Sequence, residues 1–176
     1  MKRNIILAFT VVSMLFITGC GKKEIEDKEK VVMTSGEVSS GIVIGKELAS
    51  FTLKDQFDKE HSLTKDVKKV IFAFSKPTGH IMKLYLGVKK PDYLTSRDIL
   101  FIADISGMPS MISKMFAIPD MKESKYPILL IKEKENAIRF RNEDQKGAVM
   151  IISLENKIIK SVKFVTNDVD LKAEID

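Results

Sequence analysis

The chain has 176 residues, the length of one domain, with 30% charged and 44% hydrophobic side chains, the balance of an ordinary globular protein. Its net charge of +5 is small, interspersed along the chain, and includes Lys2 and Arg3 at the N-terminus, so no nucleic-acid partner is expected. One cysteine, Cys20, and two histidines, His61 and His80, exclude an intramolecular disulfide, a Cys-X-X-Cys pair and a thiolate metal cluster, and no metal site is expected.

Met1-Lys2-Arg3 is a short positive segment, and residues 4–16 are dominated by Ile, Leu, Val, Met and Phe. That run suits a signal-peptide core and falls short of the about 20 apolar residues that a spanning helix needs. Ile17-Thr18-Gly19-Cys20 follows and resembles the bacterial lipobox. The resemblance implies that the Cys20 thiol is diacylglyceryl-modified and becomes the new N-terminus, so residues 1–19 are expected to be a lipoprotein signal peptide. The alternative is an uncleaved signal anchor with an idle cysteine. Two or three acyl chains anchor far more firmly than one, because each buried CH₂ adds roughly 0.8 kcal/mol. The covalent lipid on Cys20 is the one attached group expected, and no cofactor is. The expected address is the bacterial cell envelope, with the membrane as a partner through the lipid. By analogy with such lipoproteins, Gly21 lacks the aspartate that commonly retains them at the inner membrane. In a Gram-negative host this favours an outer-membrane anchor facing the periplasm.

Residues 20–41 are dense in Lys, Glu, Asp and Ser and are expected to be a lipidated, mostly disordered tether. Within it, Val31-Val32-Met33 could add a short edge strand. The folded domain is expected over 42–176. Phe51-Thr52-Leu53-Lys54 alternates as a half-buried strand does, and 55–61 reads as a hairpin connection. Val70-Ile71-Phe72-Ala73-Phe74 is an apolar run of the kind covered on both faces. Pro77 and Gly79 mark a turn after it. Ile81, Met82, Leu84, Tyr85, Leu86 and Val88 follow a helical spacing that Pro91 ends.

Ile99-Leu100-Phe101-Ile102-Ala103 is a second buried strand. A helix over 110–116 follows, with Pro109 at its first turn, Pro119 beyond its end, and Met111, Ile112, Met115 and Phe116 as its apolar face. A third apolar run covers 126–131, and 137–140 is a short helix or extended piece. Residues 147–154 and 158–164 form an antiparallel hairpin around Glu155-Asn156-Lys157. A short helix over 168–176 closes the chain, capped by Asn167 or Asp168. This order predicts an α/β three-layer domain with a mixed central sheet.

The order also resembles the thioredoxin-like fold. Gly45-Lys46-Glu47-Leu48-Ala49-Ser50-Phe51-Thr52-Leu53-Lys54-Asp55-Gln56-Phe57 is similar to the opening of the peroxiredoxin and TlpA-like branch, with Ala49 near the usual proline and Asp58 near the usual glycine. A strand without Cys-X-X-Cys at 70–75, Tyr126-Pro127 and Ala148-Val149-Met150-Ile151-Ile152 resemble the YtfJ-type group of secreted thioredoxin-like proteins. The likeness covers roughly residues 45–165 and implies a thioredoxin-like three-layer domain. It also implies what is missing. The reactive thiols would fall in Ser75-Lys76-Pro77-Thr78-Gly79-His80, and the cis-proline facing them near Ala148. Thiol–disulfide exchange needs an attacking and a leaving thiol, and peroxidase chemistry needs a thiolate. No thiol redox activity is therefore expected, and no catalytic residue is assigned.

Three functional readings remain. In the first, the domain is a redox-inactive binding or accessory module of the envelope. It would meet a ligand or an envelope protein at Ser75, Thr78, His80 and Asp104, or on a flexible face formed by Met108, Met111 and Met115. In the second, it is an enzyme of a non-thiol class with a Ser or Thr nucleophile beside His80, although no Gly-X-Ser-X-Gly elbow is present. In the third, the methionine face handles Cu(I). Each feature also has a plain reading: Ser75 and Thr78 as turn and cap residues, Asp104 as a helix cap, and the methionines as a core-facing stripe.

Overall fold

A computed structural model describes the backbone of residues 31–33 and 37–39 and the full residues of 41–176. The expected signal peptide and Cys20 lie outside the described residues. In chain order the elements are β1 (Val31–Met33), β2 (Glu37–Ser39), β3 (Ile42–Val43), β4 (Thr52–Lys54), β5 (Glu60–Ser62), β6 (Lys69–Ala73) and α1 (Lys76–Gly87). There follow β7 (Ile99–Asp104), α2 (Ser110–Ile112), α3 (Ile118–Lys122), β8 (Leu129–Ile131), α4 (Lys134–Ile138), β9 (Val149–Glu155), β10 (Ile158–Val165) and α5 (Asp168–Ile175). Among the described residues, no helix is long and apolar enough to cross a membrane.

The central sheet has the order β1-β10-β9-β6-β7-β8. β6 pairs in parallel with β7 and β7 with β8, whereas β9 lies antiparallel to β6 and β10 antiparallel to β9. The mixed sheet expected from the element order is therefore present. Strand alternation divides the apolar side chains between its faces. Val70, Phe72, Phe74, Ile102, Leu129, Met150 and Ile152 share one core. Ile71, Ala73, Phe101, Ala103, Leu130, Val149 and Ile151 share the other. Burial on both sides is why 70–74 reads as an unbroken apolar run.

The outer layers differ. α1 and α5 cover the second face. The Asp176 carboxylate ties them together, accepting hydrogen bonds from Tyr93, from Tyr85 at 2.7 Å and from Lys89 at 2.7 and 2.9 Å. Lys89 and the two phenols hold that carboxyl well below the usual carboxylate range. The first face is covered by Ile42, Leu48, Leu53 and Leu63 of the N-terminal segments and by Ala137 and Phe140. Gly41 presses against this layer, because a Cβ there would lie 2.2 Å from the Arg139 carbonyl oxygen.

Both sheet edges are guarded, as exposed edges invite aggregation. Beside β10 lie β1, with Val31 opposite Phe164, and then residues 45–48, where Gly45 N–H donates to Ile159 O at 2.8 Å. The edge strand expected at Val31-Val32-Met33 thus forms. Beside β8, the β4–β5 hairpin places Gln56 as a latch. Its side-chain oxygen accepts from Ile128 N–H at 2.7 Å and its amide donates to Tyr126 O at 2.9 Å. Asp55 orders the hairpin turn, accepting from the N–H groups of Phe57 and Lys59 at 2.8 and 3.0 Å and pairing with His61 Nε2 at 2.8 Å. Burial opposes the Asp55 charge, but the His61 contact and the two N–H groups outweigh it and lower its pKa.

Two helix boundaries differ from the sequence expectation. Pro77 and Gly79 lie inside the first turn of α1 rather than in a turn before it, because Pro is pre-set for the start of a helix. Pro119 lies within the second helical segment rather than beyond it. α2, a π turn over Ser113–Ala117 and α3 run on without a break as one rod. Pro119 has no N–H to donate, and the wider turn just before it absorbs the mismatch. At the C-terminus, Asn167 caps α5 by accepting from Asp170 N–H at 2.9 Å, as expected.

Candidate functional site

The parallel register sets Ala73 of β6 opposite Ala103 of β7. These are the smallest side chains on a face otherwise filled by Ile71, Phe101 and Ile151. Above them α1 and the helical rod stand apart, leaving a cavity of about 550 Å³. That volume lies within the range of ligand pockets. It sits beyond the C-terminal ends of β6 and β7, where open α/β sheets receive ligands. Ala73, Phe101, Ala103, Tyr126 and Ile128 line it from the sheet side, and Met108, just before the rod, lines it together with Ile112 and Phe116 of the rod. Lys76, His80 and Lys83 of α1 line the other side, at i, i+4 and i+7 on one helical face. An ion pair joins the two walls, with Lys83 Nζ 2.6 Å from Asp120 Oδ1, and that hydrogen bond raises the lysine pKa.

The structure brings Ser75, His80, Asp104 and Met108 to this cavity. Ser75 caps α1. Thr78 N–H donates to Ser75 Oγ at 3.5 Å, and Ser75 N–H donates to Thr78 Oγ1 at 3.1 Å. Thr78 also donates its hydroxyl proton to Ser75 O at 2.8 Å, is wholly buried, and does not line the cavity. The capping box satisfies two helix-end donors and leaves Thr78 no access to a ligand. The plain reading of these two residues therefore describes their geometry. His80 is exposed at the rim, and its side chain has no hydrogen-bond partner among the described residues.

Asp104 ends β7 but caps no helix. One of its oxygens accepts from Ser106 N–H at 2.9 Å and the other pairs with Arg141. Only 1% of the Asp104 side chain is exposed. The Asp104 hydrogen bond raises the Arg141 pKa, so the charge that Asp104 brings to the cavity is already balanced. Sequence reasoning missed Arg141. No local pattern links positions 104 and 141, and only the fold places the loop after α4 beside the end of β7.

The methionine face divides. Met108 precedes the rod and packs against the core. Met111 and Met115 lie on the rod, 69% and 61% exposed, outside the cavity lining. Ile112 and Phe116 are 44% and 62% exposed although they form its wall. The core-facing stripe expected of these residues is not formed. The rod instead turns Ser113, Ile118 and Met121 towards the core, and its most apolar face is left open. Contiguous exposed apolar residues of this kind mark interaction sites. Among the described residues, no three His, Cys, Asp or Glu side chains gather as a metal site. Ala148 stands just before β9. Extending the pairing of Phe72 with Met150 brings it level with Phe74, and both are buried in the first-face core.

No protein-family model matches the chain, and no curated protein matches its sequence. Solved structures do resemble it. StoA from Bacillus subtilis superposes with a TM-score of 0.52 at 13% identity, covering 73% of this chain and 97% of that one. A putative protein disulfide isomerase from Bacteroides thetaiotaomicron gives 0.50 at 17% identity, covering 81% and 90%. The thioredoxin domain of a thiol-disulfide oxidoreductase from Bacteroides vulgatus gives 0.47 at 14% identity, covering 77% and 99%. At these identities the likeness is one of fold, and the fold of this chain is thioredoxin-like.

Proposed function

We propose that the protein is a lipid-anchored, redox-inactive thioredoxin-like module of the bacterial cell envelope, and that it binds an envelope partner at the cavity between α1 and the helical rod. The observation that carries this reading is the cavity itself: open, apolar, at the strand ends, and lined by no cysteine. The single cysteine of the chain stands at the lipobox, where acylation would consume its thiol. Anchoring through Cys20 would leave residues 21–30 between the lipid and β1, a span of at most about 36 Å, so the cavity would work close to the membrane surface.

The test has two arms. Purified full-length protein should show no turnover in thiol-reductase, disulfide-oxidase and peroxidase assays, and turnover in any of them overturns the reading. A photo-crosslinking residue at Ile112 should capture one envelope protein in cells, whereas one at Ile138, which is 61% exposed on α4, should not. Capture should vanish in a Cys20→Ala form.

A further inference from the structure

Resting on that reading, we infer that the cavity receives an acidic segment of the partner polypeptide, with one bulky apolar side chain inserted between the rod and the sheet. The first ground is extent. A small molecule confined to about 550 Å³ would leave Met111 and Met115 in water, because neither lines the cavity. A polypeptide crossing the mouth covers both while its anchor fills the hole. Flexible methionine faces suit such anchors.

The second ground is charge. α1 carries no acidic residue along its length, and the rod carries one, Asp120. Asp120 is bound to Lys83 and Asp104 to Arg141, so the carboxylates that line the cavity are already neutralised. Lys76 at the rim, and Lys114 and Lys122 on the rod, have no ion-pair partner among the described residues. Glu123, at the end of the rod and near enough to act on Lys83, also has no ion-pair partner among the described residues; set against these three lysines it leaves the mouth net positive, and the complementary ligand is negative.

The experiment uses the full lipidated protein in phospholipid nanodiscs and a display library of random short peptides. The enriched sequences are expected to combine a bulky apolar residue with flanking Asp or Glu. A synthetic peptide of that consensus should lose about thirtyfold in affinity against Phe116→Ala and about tenfold against Lys76→Glu. Replacing its acidic residues by lysine should restore binding to Lys76→Glu, and added salt should weaken the original pair. Both substituted residues are exposed, so the variants keep their fold.

Enrichment of basic or uncharged peptides overturns the inference, as does binding indifferent to Phe116 and Lys76. So does an empty selection, or a fatty acid that saturates the cavity with no acidic peptide competing. A concentration-dependent dimer that protects Met115 would assign the face to a second copy and likewise overturn it. Those failures leave the Cys20-dependent crosslink from Ile112 standing. Loss of that crosslink with thiol turnover would instead remove the binding-module reading beneath it.

Discussion

The two faces of one sheet teach different lessons because the same strands build both. β6, with Phe74 just after it, sends Phe72 and Phe74 to one side and Ile71 and Ala73 to the other; β7 sends Ile102 to the first and Ala103 to the second. On the first face Phe72 stacks on Phe74 and Phe140, with centroids 5.5 and 5.2 Å away, and Phe140 meets the edge of Phe51 at 5.9 Å. That face is filled. On the second, the Ala73–Ala103 pair leaves a hole that α1 and the rod border without closing. Large side chains at i and small ones at i+1 give a stable core on one side of the sheet and room for a ligand on the other.

The strongest way to test this contrast is to damage the filled face. Phe72→Ala should cost about 3–5 kcal/mol of stability, read by denaturant unfolding, and should leave peptide affinity of the folded fraction unchanged. Gln56→Leu should cost about 1–3 kcal/mol, because Ile128 N–H loses its buried acceptor; hydrogen exchange at Ile128 should quicken while exchange in β9 stays slow.

The acid limb of stability examines the same hairpin. The Asp55 pKa is lowered in the folded chain, so its contribution is present above the ordinary aspartate value of about 3.9. It is lost as the pH falls through the depressed folded value. Asp55→Asn should therefore narrow the difference in stability between neutral and acidic solution, and an unchanged difference would remove Asp55 from the account.

Smaller effects belong to the cavity side. Ser75→Ala should cost about 1 kcal/mol through the lost cap of α1. If it abolished binding without loosening the helix, Ser75 would be a ligand contact rather than a cap. Ala103→Leu should change stability by less than about 1 kcal/mol, because the added methyl groups enter empty space rather than a packed core. It should nevertheless block the peptide. A destabilisation as large as that of Phe72→Ala would show that the two faces are equally full.

Much of the fold was legible because strands and helices have short periods. The apolar run at 70–74, the hairpin at 149–165 and the Asn167 cap are each written within a few residues. The site was legible in part. Ser75, His80, Asp104 and Met108 do meet at one cavity, as strand-end positions should, but Thr78 faces the helix cap and Asp104 is bound to Arg141. For the rod the sequence leaves two readings open, a core-facing stripe and an exposed face, and Met111 and Met115 are exposed. Pattern alone shows that Met111, Ile112, Met115 and Phe116 share a side, and nothing local says whether that side meets the core or the solvent.

Local chemistry thus determined the element order, the absence of thiols from the strand-turn-helix at 70–80, and the placing of the single cysteine at position 20. These depend on residue identity and on neighbours within a turn or a strand pair. Tertiary structure alone decided that Ala73 lies opposite Ala103, that Arg141 neutralises a carboxylate 37 positions earlier, and that the rod stands off the sheet with its apolar face open. Register and helix placement are set by contacts far apart in sequence, and a cavity is the space those contacts leave unfilled.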